Sequence, residues 1–193
     1  SDDLQALTTS QWSVMTSEDL VAVSAANWGV FATDDLRALT TAQWSSLQTD
    51  DLVALDALMQ WTSLATNDLV SIDAQTQWGF VASDDLRGLT TAQWSVMQTD
   101  DLNALSTVQW AIVETDDLVA MRTLQWSSMA SDDLQAMTSE QWSSMAADDL
   151  VALTTGQWAA LATDDLFALD AAAQWPVLAT NDLQALSATQ WSS

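Results

Sequence analysis

The sequence predicts an all-α repeat solenoid of about 24 very short, capped helices in twelve units of 16–17 residues. Three observations lead there. A sixteen-residue sentence, Thr-Asp-Asp-Leu-x-Ala-Leu-Thr-Thr-x-Gln-Trp-x-x-Leu-Ala, is written twelve times. Each sentence divides into two similar octads whose large apolar residues stand three apart. A hydroxyl or acidic residue precedes nearly every octad. The tryptophans mark the period: Trp12, Trp28, Trp44, Trp61, Trp78, Trp94, Trp110, Trp126, Trp142, Trp158, Trp175 and Trp191, spaced by sixteen residues with three steps of seventeen. Each longer step inserts one residue between an Asp (Asp56, Asp73 or Asp170) and the following Gln-Trp. The period runs the full length, so residues 1–193 read as one repeat domain without an internal boundary.

Within a half-unit, Leu36/Leu39 and Trp44/Leu47 have helical spacing and lack the alternation of a half-buried strand. A Thr, Ser or Asp ahead of each half-unit can accept from the free amides of a first turn. Thr40-x-x-Gln43, Thr90-x-x-Gln93 and Thr138-x-x-Gln141 also fit the reciprocal capping box. The expected helices have roughly five to seven residues, too short to survive alone because nucleation costs more than so few bonds return. Stacking must therefore hold them. Two half-units per solenoid turn would place all the Asp-Asp-Leu helices on one side and all the Gln-Trp helices on the other, with the twelve indoles and the aliphatic residues between.

Both ends, Ser1-Asp2-Asp3-Leu4 and Gln190-Trp191-Ser192-Ser193, read as ordinary units without the polar outer face of a capping repeat. That pattern fits an open superhelical array, a closed ring, or ends that meet between molecules, an end-to-end self-association. A start without Met or a basic-then-apolar leader is expected of a processed form or an excised fragment.

Twenty-seven Asp and Glu face only three cationic residues, Arg37, Arg87 and Arg122, and the net charge is −24. Such a surface repels nucleic acid and anionic membranes, so neither is an expected partner. With 49% hydrophobic residues, one Pro and four Gly, the chain can bury a core and is not a disordered acidic tail. No apolar run approaches the length of a membrane-spanning helix. The absence of Cys and His removes disulfides, thiolate metal sites, the cysteine nucleophile and the usual general base. An enzyme builds one asymmetric site, whereas this chain repeats one constellation twelve times, so the expectation is a non-enzymatic protein that requires no cofactor.

Two repeated constellations could carry chemistry. The first is the row of adjacent carboxylates, Asp34/Asp35, Asp50/Asp51, Asp84/Asp85, Asp100/Asp101, Asp116/Asp117, Asp132/Asp133, Asp148/Asp149 and Asp164/Asp165, with further pairs at Asp2/Asp3 and Glu18/Asp19. In the first turn of a helix these charges meet the positive end of its dipole. Stacked, they would offer oxygen ligands for weak, multi-site calcium binding, although no Asp-x-Asp-x-Asp-Gly loop is present. The second is the tryptophan row. Trp stands where the sister octad places Leu, which argues for twelve buried core residues whose indole N–H needs an acceptor from a neighbouring unit's hydroxyl or carbonyl. An exposed aromatic ladder that binds carbohydrate is the alternative.

The phrase Leu39-Thr40-Thr41-Ala42-Gln43 returns at Leu89-Thr90-Thr91-Ala92-Gln93 and nearly so at Leu7-Thr8-Thr9-Ser10-Gln11 and Leu153-Thr154-Thr155-Gly156-Gln157. It resembles the Leu-Thr-Thr-x-Gln tracts of large secreted or surface proteins of Gram-negative bacteria. Those tracts commonly carry Ile or Val where this chain has Trp, and they lack its regular Asp-Asp alternation. The resemblance implies an extracellular or cell-surface array and transfers no functional residue. The expected function is a spacer, scaffold or surface-display segment with a protein or carbohydrate partner, and the alternative is a ligand-binding repeat for calcium or sugar.

Overall fold

The computed structural model describes residues 2–192, with the side chain of Asp2 left out, so that carboxylate lies outside the described residues. Every half-unit forms one short helical segment: among the described residues there are twenty α-helices of four to six residues and four 3₁₀ segments of three or six. No strand interrupts them. The molecule is a helical repeat solenoid. Its contacts divide it into two compact units, Ser1–Ala104 and Leu105–Ser193, both built from the same half-units.

Helices this brief need frequent stops, and the stops use no left-handed residue, since no described residue has a positive φ. Instead the chain turns through extended residues. Leu89 (φ −68°, ψ 142°) ends the helix Ser83–Gly88, and Thr90 (φ −82°, ψ 157°) caps Thr91–Trp94. Any L-residue adopts that geometry, so the fold has little need of glycine. In the tryptophan half-units the cap is the expected hydroxyl: Thr40, Thr90, Ser106, Thr138 and Thr154 accept from the amide three residues on. Among the acidic half-units Thr16 also accepts from the Asp19 amide (3.2 Å), but from the helix Thr33–Arg37 onward the expectation fails. The cap position falls one residue earlier, on Ala82, Gln98, Ala130 or Ala146, and no side chain there accepts from the helix. The hydroxyl residue becomes the first helical residue, and the second Asp reaches back to the cap amide instead.

Packing overturns the predicted two half-units per turn. Thr33–Arg37 lies on Thr9–Trp12, Thr49–Val53 on the 3₁₀ segment Ala25–Val30, and Ser83–Gly88 on Trp61–Ser63; in the second unit Ser131–Gln135 lies on Thr107–Trp110 and Thr155–Ala160 on Ser131–Gln135. Each helix therefore meets the third half-unit along, and side chains described below also reach the fourth. A full turn takes between three and four half-units. Because three is odd, an acidic helix stacks on a tryptophan helix, so the expected rows of a single type on opposite sides do not form.

Each of the two units encloses an apolar core. Trp12, Trp28, Trp44, Trp61, Trp78, Trp94, Trp110, Trp126, Trp142 and Trp158 are 0–1% exposed, alongside the apolar positions of both octads, such as Leu36 and Leu39 or Met137 and Met145. Rings meet across it: Trp12 and Phe31 are 4.7 Å apart edge to face, and Trp61 and Trp78 are 6.2 Å apart. The predicted core is incomplete at one end, where Trp175 is half-buried and Trp191 is 55% exposed.

The three inserted residues are absorbed at the start of their tryptophan half-units. In a regular one the Trp44 amide bonds the Thr40 carbonyl four residues back; after the insertion the Trp61 amide bonds Asp56, five back, and Trp78 and Trp175 do the same with Asp73 and Asp170. The Asp56 carboxylate stands in for the capping hydroxyl and accepts the amides of Leu58 (3.1 Å) and Met59 (2.7 Å). The wider turn crowds its neighbour. A Cβ on Gly88 would lie 2.0 Å from the carbonyl oxygen of Ala57, the residue that follows Asp56. Sister half-units carry Ala at this place, as at Ala38 and Ala104. Gly88→Ala is therefore expected to cost about 1–3 kcal/mol through forced displacement of the backbone. Gly156→Ala, whose Cβ would meet nothing nearer than the Thr154 hydroxyl at 3.9 Å, should stabilise by roughly 0.5–1 kcal/mol. Equilibrium urea unfolding of the two variants measures both.

Candidate functional site

The repeated polar side chains converge between successive turns. Gln43 is 4% exposed and uses all its hydrogen-bonding capacity. Its Oε1 accepts from the Thr40 amide (2.6 Å) and hydroxyl (3.0 Å). Its Nε2 donates to the carbonyls of Trp12 (2.9 Å) and Met15 (2.8 Å), four half-units earlier. Gln93 repeats the pattern on Trp61 (2.8 Å) and Leu64 (3.1 Å), and Gln157 on Trp126 and Met129 (both 2.9 Å). After an insertion the geometry survives: Gln60 accepts from the Asp56 amide (2.6 Å) and donates to Trp28 and Phe31 (both 2.9 Å). Thus the capping box read from the sequence is half of a larger device, in which one amide closes its own helix and also ties it to the turn beneath. Sequence reasoning missed the second half. The signal available was a Gln before nearly every Trp, a regularity that capping alone does not demand.

The acidic half-unit uses a shorter and purely accepting version. The second Asp takes the place of Gln: Asp51, Asp101 and Asp165 accept the cap amides of Gln48 (3.0 Å), Gln98 (2.9 Å) and Ala162 (3.0 Å). A carboxylate cannot donate to carbonyls, and its counterpart is an indole N–H. Asp51 faces the indole of Trp28, three half-units back, which favours its charged form without reaching full hydrogen-bond geometry. The same stacking carries Asp85 on the helix above Trp61, and there both the Asp85 Oδ2 and the Trp61 indole nitrogen are buried without a hydrogen-bond partner. At Trp28 the group opposite the indole is thus a carboxylate in place of the expected hydroxyl or carbonyl.

This division splits each carboxylate pair. Asp50, Asp84, Asp100, Asp116, Asp132, Asp148 and Asp164 are exposed, whereas Asp51, Asp85, Asp101, Asp117, Asp133, Asp149 and Asp165 are buried. Nearer the first turn, Asp34 is exposed and Asp35 half-buried. Among the described residues, no group of three or more Asp, Glu, His or Cys is placed to hold a metal ion. With ten indoles enclosed, the tryptophan row offers no continuous aromatic face to a sugar. Nor is any helix of the described chain long and apolar enough to cross a membrane.

Burial acts on the inner carboxylates first. It pushes Asp85, Asp101, Asp133 and Asp149 up to about 6, with the adjacent Asp84, Asp100, Asp132 and Asp148 adding repulsion. Asp117, next to Glu114 and Asp116, is pushed to about 7. Asp51, Asp68 and Asp165 are raised for the same reason. Asp73 moves the other way, because the Thr76 hydroxyl (2.6 Å) and amide (2.8 Å) donate to its carboxylate.

No protein-family model and no curated protein matches this chain.

Two outcomes follow from the geometry. In Gln157→Glu the new carboxylate faces the two carbonyls that the amide held, and the variant should lose about 2–4 kcal/mol at pH 7 in chemical denaturation; Gln11→Glu, at an exposed position, should lose less than about 0.5 kcal/mol. The inner carboxylates have folded-state values raised above the unfolded value of 3.8, so their contribution to stability is fully present below that value and lost as pH rises through about 6–7. At constant ionic strength, the melting temperature should therefore rise by about 5–10 °C from pH 8 to pH 5. Asp101→Asn, which keeps an acceptor for the Gln98 amide, should raise it at pH 8 and leave it nearly unchanged at pH 5; calorimetry across this range would contradict the assignment if acid lowered the melting point.

Proposed function

We propose that the chain is a non-enzymatic structural repeat module, a spacer or scaffold segment of an extracellular bacterial protein. One observation carries the reading: the repeated Gln side chain turns onto the neighbouring turn of the same molecule and has no hydrogen-bonding capacity left for a substrate, as Gln43, Gln93 and Gln157 demonstrate. The exposed member of each carboxylate pair supports the same reading. Spread around the solenoid by the stacking, these charges keep the surface soluble and discourage nonspecific association. The extracellular placement rests on the resemblance of the Leu-Thr-Thr-x-Gln phrases to tracts of secreted proteins.

A modular spacer tolerates loss of a whole unit. Deleting residues 147–162 removes one acidic and one tryptophan half-unit and preserves their alternation. The shortened chain should keep its helical circular dichroism per residue and its cooperative melting, with a hydrodynamic size reduced in proportion to its length. Collapse of the fold on this deletion would contradict the reading. Millimolar calcium should shift the melting point of the full chain no more than sodium at equal ionic strength; a larger shift would favour the cation-binding alternative.

A further inference from the structure

Two insertions in the first unit meet the acidic half-unit three along, and the two contacts differ. After Asp56 the inserted turn carries Leu58 and Met59; after Asp73 it carries Gln75 and Thr76. At the earlier contact Gly88 lets the backbone close against the Ala57 carbonyl, and Arg87 engages the adjacent carboxylate, its Nη1 3.3 Å from Asp84 Oδ1. At the later contact Ala104 stands in the place of Gly88 and Asn103 in the place of Arg87. A methyl group there forbids so close an approach, and a cleft of about 650 Å³ remains, lined by Asp73, Gln75, Gly79, Asp100, Asn103 and Ala104. One edge of it stays joined through Gly79, whose absent Cβ would lie 3.0 Å from the Ala104 carbonyl oxygen.

The polar side chains of this cleft are unused by the fold. Gln75, Asp100 and Asn103 are exposed, and their side chains make no hydrogen bond among the described residues. Asp73 is anchored: the Thr76 hydroxyl (2.6 Å) and amide (2.8 Å) donate to its Oδ1 and hold the carboxylate ionised, so it remains an acceptor. Packing does not call for these residue types, because sister half-units carry Val21, Val53 or Val119 in the place of Asn103, and Leu58 or Ala172 in the place of Gln75. Repetition dictates the fold, and the departures it does not need are gathered here. Two carboxylates supply acceptors and two amides supply both donors and acceptors. A hydroxyl both donates and accepts, so the adjacent hydroxyls of a sugar match this set, whereas an ammonium or guanidinium group only donates and would leave both amide nitrogens unmet. The volume lies within the range of about 300–1,000 Å³ of small-molecule sites. Phe80, the residue after Gly79, is 64% exposed and offers an apolar ring to the C–H side of a pyranose.

We propose that this cleft binds a neutral carbohydrate of one or two pyranose rings, with the Asp73 and Asp100 carboxylates accepting from its hydroxyls and the Gln75 and Asn103 amides bonding their neighbours. The site goes beyond the spacer reading: it places recognition where the repeat is broken, on an array whose regular units are closed. The lining side chains are exposed and stay hydrated until the sugar arrives, so each new bond replaces one to water and the binding is weak. A neutral ligand gains nothing from the charge of −24 on the chain, so its affinity is indifferent to salt.

Saturation-transfer NMR and calorimetric titration of the full chain with methyl α-glucoside, methyl α-mannoside, lactose, cellobiose and N,N′-diacetylchitobiose test this. The expected result is saturable binding of at least one of them, with a Kd on the order of 1 mM that is the same in low and high salt. Asn103→Val and Gln75→Leu should each weaken that binding about fivefold or more. Both positions are exposed and sister half-units already hold Val and Leu there, so the helical signal and melting point should be retained. Asp132→Asn, an exposed carboxylate of the second unit, should bind as the wild type does. Absence of saturation with all five sugars, cleft variants that bind like the wild type, or salt-sensitive binding of free arginine or spermidine in place of the sugars would overturn the proposal. None of these outcomes bears on the spacer reading, which the deletion of residues 147–162 tests at a distance in sequence from the cleft.

Discussion

The fold depends on a side-chain amide placed between turns. A helix of four to six residues makes too few internal bonds to outweigh the ordering of its backbone, so each must borrow stability from its neighbours. The glutamine that precedes an enclosed tryptophan does this twice over at Trp44, Trp61, Trp94, Trp142 and Trp158. Its oxygen closes the helix that carries it, and its nitrogen holds two carbonyls some thirty residues earlier, as Gln93 holds Trp61 and Leu64. Those carbonyls belong to the end of a helical turn, where the Trp61 oxygen otherwise receives only the Leu64 amide (3.3 Å) and the Leu64 oxygen lies past the last helical residue. One residue type thus satisfies the orphan groups of two helices, and the indole beside it fills the space that the contact encloses. Cooperation between turns is built into the bond itself, as expected of a quasi-one-dimensional stack.

Aspartate plays the complementary part. It occupies the place of glutamine in the sister octad and performs the same capping, but it is one methylene shorter and can only accept, so that Asp51 faces the Trp28 indole where glutamine meets carbonyls. The consequence is electrostatic. The inner carboxylates enter the protein without a cationic partner, since Arg37 and Arg87 pair with the outer residues Asp34 and Asp84 at 4.0 and 3.3 Å. Those pairs lie on the surface and contribute little. Burial of unpaired carboxylates in a chain of charge −24 leaves the array under tension at neutral pH, and mild acid relieves it. The outer carboxylates work in the opposite sense, keeping the surface hydrated and well dispersed.

Much of this was legible along the chain. The tryptophan period, the helical spacing of Leu36 and Leu39, the hydroxyl caps of the tryptophan half-units and the burial of Trp12 through Trp158 all follow from local pattern, because each concerns residues within a few positions of one another. The partners across turns were not legible. Nothing in Thr-Ala-Gln-Trp announces that the amide of Gln43 reaches Trp12, and nothing in Leu-Arg-Gly-Leu announces that Gly88 makes room for an insertion at Ala57, 31 residues earlier.

The sequence by itself therefore determined the unit: its length, its two short helices, its apolar positions and its excess of negative charge. Only the tertiary structure decided how many units make a turn. That number depends on the angle between successive helices, set by how indoles, leucines and backbone fit in the middle of the stack, and no local propensity encodes it. From it follow the stacking of acidic helices on tryptophan helices, the division of each aspartate pair into an inner and an outer member, and the incomplete enclosure of Trp175 and Trp191. A repeat fixes what is stacked, and the packing of side chains against a distant turn fixes how.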